Sequence, residues 1–153
     1  RRVLAFCADH LDQQVGNGEC AVLVNQAFAA AGAMRHRDVP PPPGLSLKDD
    51  DYVWGRLLGP DDEVLPGDVI QFRDVVIKKK VGSRTSSHTM GHHTAVVKAV
   101  IERNHFAVLH QNSIGPGVPE DKKKTVHPGD IDLNYKTAGE AWIYRPLPAA
   151  KRK

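Results

Sequence analysis

Val15-Gly16-Asn17-Gly18-Glu19-Cys20-Ala21-Val22-Leu23-Val24-Asn25-Gln26-Ala27-Phe28 is the stretch that decides the fold of this chain. Gly16, Asn17 and Gly18 supply the permissive backbone of a tight turn. Ala21, Leu23, Val24, Ala27, Phe28 and Ala31 then recur with a helical period, and Gly32 is a C-terminal stop. Cys20 therefore falls in the first turn of a helix. Unpaired backbone N–H groups and the positive end of the helix dipole favour an anion there. A thiolate is such an anion, so the position predicts a Cys20 pKa below the free value of about 8.5. The same position suits a small apolar residue packed beneath a helix start, since free cysteine is among the most buried residue types.

On the N-terminal side, residues 2–14 read as a helix with Val3, Leu4, Cys7 and Leu11 on one stripe. On the C-terminal side, residues 33–50 hold Pro40-Pro41-Pro42-Pro43-Gly44 and read as an extended polar connection. Strand character begins with Tyr52-Val53-Trp54-Gly55, then Pro66-Gly67-Asp68 turns into Val69-Ile70-Gln71-Phe72. Residues 78–91 are basic and serine-rich and read as a mobile loop, as does 36–50. His93 to Ile101 and Phe106 to Asn112 form a hairpin through a turn at 102–105. A glycine- and proline-rich loop with Lys122 to Lys124 leads to strands at Asp130–Leu133 and Ala141–Pro146. Helices first and strands after predict an α+β domain, with N-terminal helices packed on an antiparallel sheet of about five strands. We expect one domain over 1–147 and a basic tail over 148–153.

The 153 residues, 41% hydrophobic and 25% charged, fit one globular domain. No apolar run reaches the length of a membrane span, and no signal peptide is visible. Two cysteines are too few for a secreted disulfide scaffold, which predicts a reducing compartment and a buried, inert Cys7. The net charge of +3 is concentrated at Arg1-Arg2, Lys78 to Lys80, Lys122 to Lys124 and Lys151 to Lys153. Such loops attract an acidic protein or a phosphate-bearing partner. No aromatic residues interleave with them, which argues against a specific nucleic-acid site.

Nucleophilic catalysis by cysteine needs a base and a group that orients the base. His93 opens one strand of the hairpin and His110 closes the other, so pairing brings them together if the register puts both on one face. That makes His93 the candidate base and His110 the candidate orienter, with a pair of structural histidines as the alternative. His88, His92, His105 and His127 add imidazoles, but His92 and His93 point to opposite faces of a strand and no Cys pair or His-Glu-x-x-His pattern accompanies them. No metal site and no cofactor is expected.

Cysteine at a helix start, Pro-Gly-Asp-Val-Ile-Gln-Phe, a His-led strand and a polar residue one strand later resemble the NlpC-type and CHAP-type cysteine hydrolases. These are papain-like folds that cut amide bonds. The resemblance implies a cysteine peptidase or amidase acting on a peptide or protein substrate, with Cys20, His93 and His110 as the catalytic triad. CHAP-type enzymes carry Glu-x-Asn at the third position. His110-Gln111-Asn112 stands there, which adds Asn112 as a polar candidate and Gln111 as an oxyanion donor, with Tyr52 and Trp54 lining core or cleft. A fuller resemblance is to the C-terminal domain of fungal cortical actin-patch proteins that interact with myosin tails, the Bbc/Mti type. Gln13 to Cys20, Tyr52-Val53-Trp54-Gly55, His92 to Val97, Leu109 to Asn112 and Tyr144-Arg145-Pro146 carry it. It implies a cytoplasmic, cortical-cytoskeleton setting, and an alternative function as a weakly catalytic or non-catalytic interaction domain of an endocytic scaffold.

Overall fold

The structure is a computed structural model that describes residues 2–48, 51–112 and 123–149. Residue 1, residues 49–50, residues 113–122 and residues 150–153, which include Lys122 and most of the expected basic tail, lie outside the described residues. Pro148 and Ala149 pair back onto Ala33 and Gly32.

Helix α1 spans Arg2–Asp9 and α2 spans Cys20–Ala31. The first is shorter than its apolar stripe predicts. Asp12 adopts a left-handed φ of 65° and donates its N–H to Val126 O, while Gln13 O accepts from Val126 N–H. Two tertiary hydrogen bonds thus replace the next helical turn, and Leu11 is left 41% exposed. The second helix starts and stops as its sequence predicts. Gly32 has φ 70°, and the N–H groups of Gly32 and Ala33 close onto Ala29 O and Phe28 O.

Six antiparallel strands follow: β1 Arg56–Leu57, β2 Val69–Val81, β3 Arg84–Glu102, β4 His105–His110, β5 His127–Asp132 and β6 Lys136–Arg145. Their spatial order is β1-β6-β2-β3-β4-β5. The helices cover one face, where Val69, Val96, Leu109 and Tyr144 meet Leu23, Phe28 and Trp54. Phe28 and Trp54 pack edge to face with ring centroids 5.4 Å apart. On the other face Ile70, Phe72, Val97, Val108 and Ile131 are also fully buried. Among the described residues neither α-helix packs there; Val64, Ala141, Ile143 and Leu133, the last in a short 3-10 turn, pack against this second face.

Two expectations are corrected. Tyr52 to Gly55 is not a strand; the edge strand is the two-residue β1, paired with Tyr144 and Arg145, which raises the count to six. Gly55 lies so close to the Arg145 carbonyl that any Cβ would clash with it. Residues 78–91 are not a loop. Strands β2 and β3 stay paired out to Val81 and Arg84, turning at Gly82 with φ 62°. The apolar run Val75-Val76-Ile77 starts this arm, the serines and threonines tolerate strand geometry, and Lys78 and Lys80 stand in solvent. A bulge where β2 meets β6 turns the arm over: Asp74 has φ 52°, and Gly139, with φ 84°, gives way to its carbonyl. Ile70 and Phe72 are buried before the bulge, Val75 and Ile77 after it. Their cross-strand partners include His93 before it and Met90 and His88 after it, so His88 joins the face that carries His93.

Candidate active site

The hairpin of β3 and β4 turns at Arg103-Asn104, with Asn104 at φ 63°. Its register sets Ala95 opposite His110. His93, two residues before Ala95, shares that face. His93 Nε2 and His110 Nδ1 lie 2.9 Å apart, a hydrogen bond between rings whose centroids are 5.0 Å apart at 69°. The row extends in both directions. Phe72, the β2 partner of His93, stacks on it at 5.9 Å, and His127, the β5 partner of His110, meets that ring edge-on at 4.7 Å.

All three imidazoles in the row are buried. Burial, reinforced by neighbouring His88 and His127, pushes the His93 pKa down to about 3. Burial first, then His93, His127 and His88, holds His110 well below its ordinary value. Both rings are therefore neutral near pH 7, so one nitrogen of the 2.9 Å pair donates and the other accepts. Gly129 forms the floor under this arrangement. A Cβ there would lie 2.6 Å from His110 Nε2 and 2.9 Å from its Cε1.

Cys20 is held at the end of the same hairpin. Val97 exchanges both backbone hydrogen bonds with Gly67 and Asp68 on the β2 side. Alternation along an extended strand turns Val96, Thr94 and His92 the other way. Beyond Ala95 that side is vacant of strand, because β4 stops at His110. There the Thr94 and Ala21 backbones hydrogen-bond the Cys20 sulfur, and the Thr94 hydroxyl, whose proton goes to Gln71 Oε1 at 2.7 Å, lies beside it. These bonds favour the thiolate, but they do not win. Burial is the largest influence, the Glu19 carboxylate adds to it, and the thiol is pushed up rather than down. Burial thus reverses the depressed Cys20 pKa expected from the helix start.

The residues after β4 brace the turn before Cys20. Gln111 is fully buried; its Oε1 accepts the Val15 N–H at 2.8 Å, and its Nε2 donates to Val15 O and Glu19 O, each at 3.0 Å. Both amide hydrogens are thereby engaged by the turn before Cys20. Asn112 Nδ2 donates to Glu19 Oε2 at 2.8 Å, and its N–H donates to Lys123 O. Trp54 is core: its Nε1 donates to Gln71 Oε1 at 2.9 Å, and the same oxygen accepts from Thr94 Oγ1 at 2.7 Å. Tyr52 is half-buried against His36 and Trp54. Cys7 is buried, with its thiol pushed up to about 12.

Beside His93 lies a cavity of about 250 Å³ lined by His88, Thr89, Met90, Gly91, His92, Asn112 and Lys123. Thr94, His127 and His88 lie around this centre; the sequence does not mark Thr94, and it marks His88 and His127 only as imidazoles weighed for a metal site. Thr94 carries no sequence signal for the role. His88 and His127 sit in segments whose composition reads as loop, so their facing was not legible there.

Residues 1–152 match the family model of the AIM3/BBC1 cysteine proteinase-fold domain. No curated protein and no solved structure matches the chain.

Proposed function

This chain belongs to the AIM3/BBC1 cysteine proteinase-fold domain family, and from that premise we propose that it hydrolyses amide bonds in peptides or proteins through Cys20, His93 and His110. The observation that carries the reading is the 2.9 Å His93–His110 hydrogen bond, made next to Thr94, whose backbone holds the Cys20 sulfur at the start of α2. His93 Nε2 donates to His110 Nδ1, which fixes the tautomer and leaves His93 Nδ1 as the base. The resting pair is neutral, so the thiol proton moves to His93 Nδ1 as sulfur attacks the carbonyl carbon. The Cys20 backbone N–H stabilises the oxyanion. Collapse breaks the C–N bond, the amine leaves with the proton from His93, and a thioester remains. Water then attacks the thioester, gives its proton to His93, and the acid leaves as the thiol is restored.

The test is turnover of a panel of fluorogenic peptide amides. Cys20→Ala abolishes it, His93→Ala reduces it by about 10³-fold or more, and His110→Ala by about 10–100-fold, because an orienter acts through positioning. A wild-type chain that cleaves nothing in the panel and forms no adduct with peptide electrophiles overturns the reading. The raised Cys20 thiol favours the second reading in that case: an interaction domain on the same fold within a cortical cytoskeletal or endocytic scaffold. Among the described residues no helix is long and apolar enough to cross a membrane. A cytoplasmic setting is part of the proposal.

A further inference from the structure

His127 is a buried imidazole with no part in the steps above. It lies on β5 directly across from His110, and the two rings meet edge-on at 4.7 Å. Its Nδ1 is 2.8 Å from Thr125 O. A carbonyl oxygen only accepts, so Nδ1 carries a proton and donates it there. The neutral ring then holds its lone pair on Nε2, an atom that is buried with no hydrogen-bond partner among the described residues. A buried acceptor left unmatched is costly, so it favours whichever state of its neighbours turns a donor toward it. His110 is the neighbour with such a donor. A Cβ on Gly129, two residues along β5 from His127, would come within 2.6 Å of His110 Nε2, so that end of the ring lies over β5. The other end, Nδ1, faces His93 Nε2 at 2.9 Å. Two arrangements of protons satisfy this bond. In one, His110 donates from Nδ1, and its Nε2 is a second bare lone pair beside His127. In the other, His93 donates from Nε2, and His110 keeps its proton on Nε2, on the side of His127. The second alone offers the buried His127 lone pair a proton. Phe72 stacks on His93 at the far end of the row and has no hydrogen-bonding atom in its ring, so the bias comes from the Thr125 end.

We propose that His127 is a positioning residue whose Nε2 accepts the His110 Nε2 proton, directly or through one water, so that the Thr125 carbonyl decides which nitrogen of His93 is bare. The effect on turnover rests on the hydrolase reading; the order of protons stands without cleavage. That order runs one way. Thr125 O accepts from His127 Nδ1, His127 Nε2 accepts from His110 Nε2, and His110 Nδ1 accepts from His93 Nε2. His93 Nδ1 is left with its lone pair, as a base for the Cys20 thiol requires. With the order reversed, His93 would carry its proton on Nδ1 and could not take another there. Each ring keeps one proton, so the buried row stays neutral. When His93 takes the thiol proton, His110 Nδ1 already accepts from the other side of the ring, and no imidazole has to change tautomer during the step.

The experiment reads the tautomers directly, by long-range ¹H–¹⁵N correlation spectra of the intact ¹⁵N-labelled chain near neutral pH. The expected result is a proton on Nδ1 of His127 and on Nε2 of both His110 and His93. His127→Phe keeps a buried ring and removes the acceptor. In that variant the His110 and His93 signals move toward a mixture of the two tautomers, and kcat on a fluorogenic peptide amide falls about tenfold with KM unchanged. His127→Gln, whose Oε1 accepts in place of Nε2, restores the His110 signal and most of kcat. A merely structural role for His127 predicts the opposite ranking, since Phe replaces a packed ring better than Gln does. A proton on His110 Nδ1 in the wild type overturns the proposal whether or not the variants fold. So do His110 and His93 signals that are unchanged in a folded His127→Phe chain. The expected tautomers together with a wild-type chain that cleaves nothing would sink the hydrolase reading and leave the order of protons standing.

Discussion

Replacing Gln111 with Ala removes three hydrogen bonds of 2.8, 3.0 and 3.0 Å that tie the end of β4 to Val15 and Glu19. A net value of about 1 kcal/mol each gives about 3 kcal/mol. The side chain is fully buried, so the vacated space adds about 1 kcal/mol more. The expected loss of about 4 kcal/mol is a large share of the 5–15 kcal/mol typical of a domain. With an m-value of about 2 kcal/mol/M, the urea midpoint read by tryptophan fluorescence falls by about 2 M. Under native conditions Cys20 also alkylates faster, because the turn before it loosens. Gln111→Glu is the matched control. Its carboxylate faces two carbonyl oxygens, so its folded pKa is raised above the unfolded value. The sign follows: the variant is least destabilised below about pH 4.3 and loses stability as pH rises through that value. A Gln111→Ala loss under about 1 kcal/mol, with unchanged Cys20 reactivity, would refute the idea that this side chain braces the turn.

Other outcomes follow from the same geometry. His93 and His110 have pKa values depressed by burial, so protons bind the unfolded chain more tightly, and stability falls as pH drops below about 6.5. The slope is up to about 1.4 kcal/mol per pH unit for each ring, and urea midpoints at pH 7, 5.5 and 4.5 measure it; a flat profile contradicts the buried neutral pair. Gly129→Ala puts a Cβ 2.6 Å from His110 Nε2, which forces the ring off His93; we expect about 10–100-fold less turnover and a shift in the imidazole ¹⁵N signals of both rings. An unmoved His93 spectrum in that variant would mean that the floor is not tight. Cys7, with a thiol pushed up to about 12, should resist alkylation until the chain unfolds, whereas half-buried Cys20 reacts in the native state at a rate still rising above pH 8.5.

Much of the fold was readable where local signals and tertiary packing agree. The glycine turn, the start of α2 at Cys20 and the stop at Gly32 are local, and the hairpin of β3 and β4 follows from alternation about a polar turn. The strand at Lys78 to Val81 was not readable, because lysines and serines signal loop while the pairing that orders them comes from the opposite strand. The end of α1 depends on Val126, more than a hundred residues away. The candidate triad residues could be named from hairpin register and the helix start. Their electrostatics could not: the dipole argument sees only the first turn of α2, whereas burial and the Glu19 carboxylate set the direction for Cys20. Gln111 shows the same limit, since its partners lie 96 and 92 positions away in sequence.

The most direct test of the central claim is intact-mass spectrometry of the chain mixed with an activated peptide ester, followed by peptide mapping. The account predicts an acyl adduct on Cys20 that forms and decays in the wild type. The adduct should be absent in Cys20→Ala and form at least a hundredfold more slowly in His93→Ala. No adduct on Cys20, or one that forms at the same rate without His93, would contradict it.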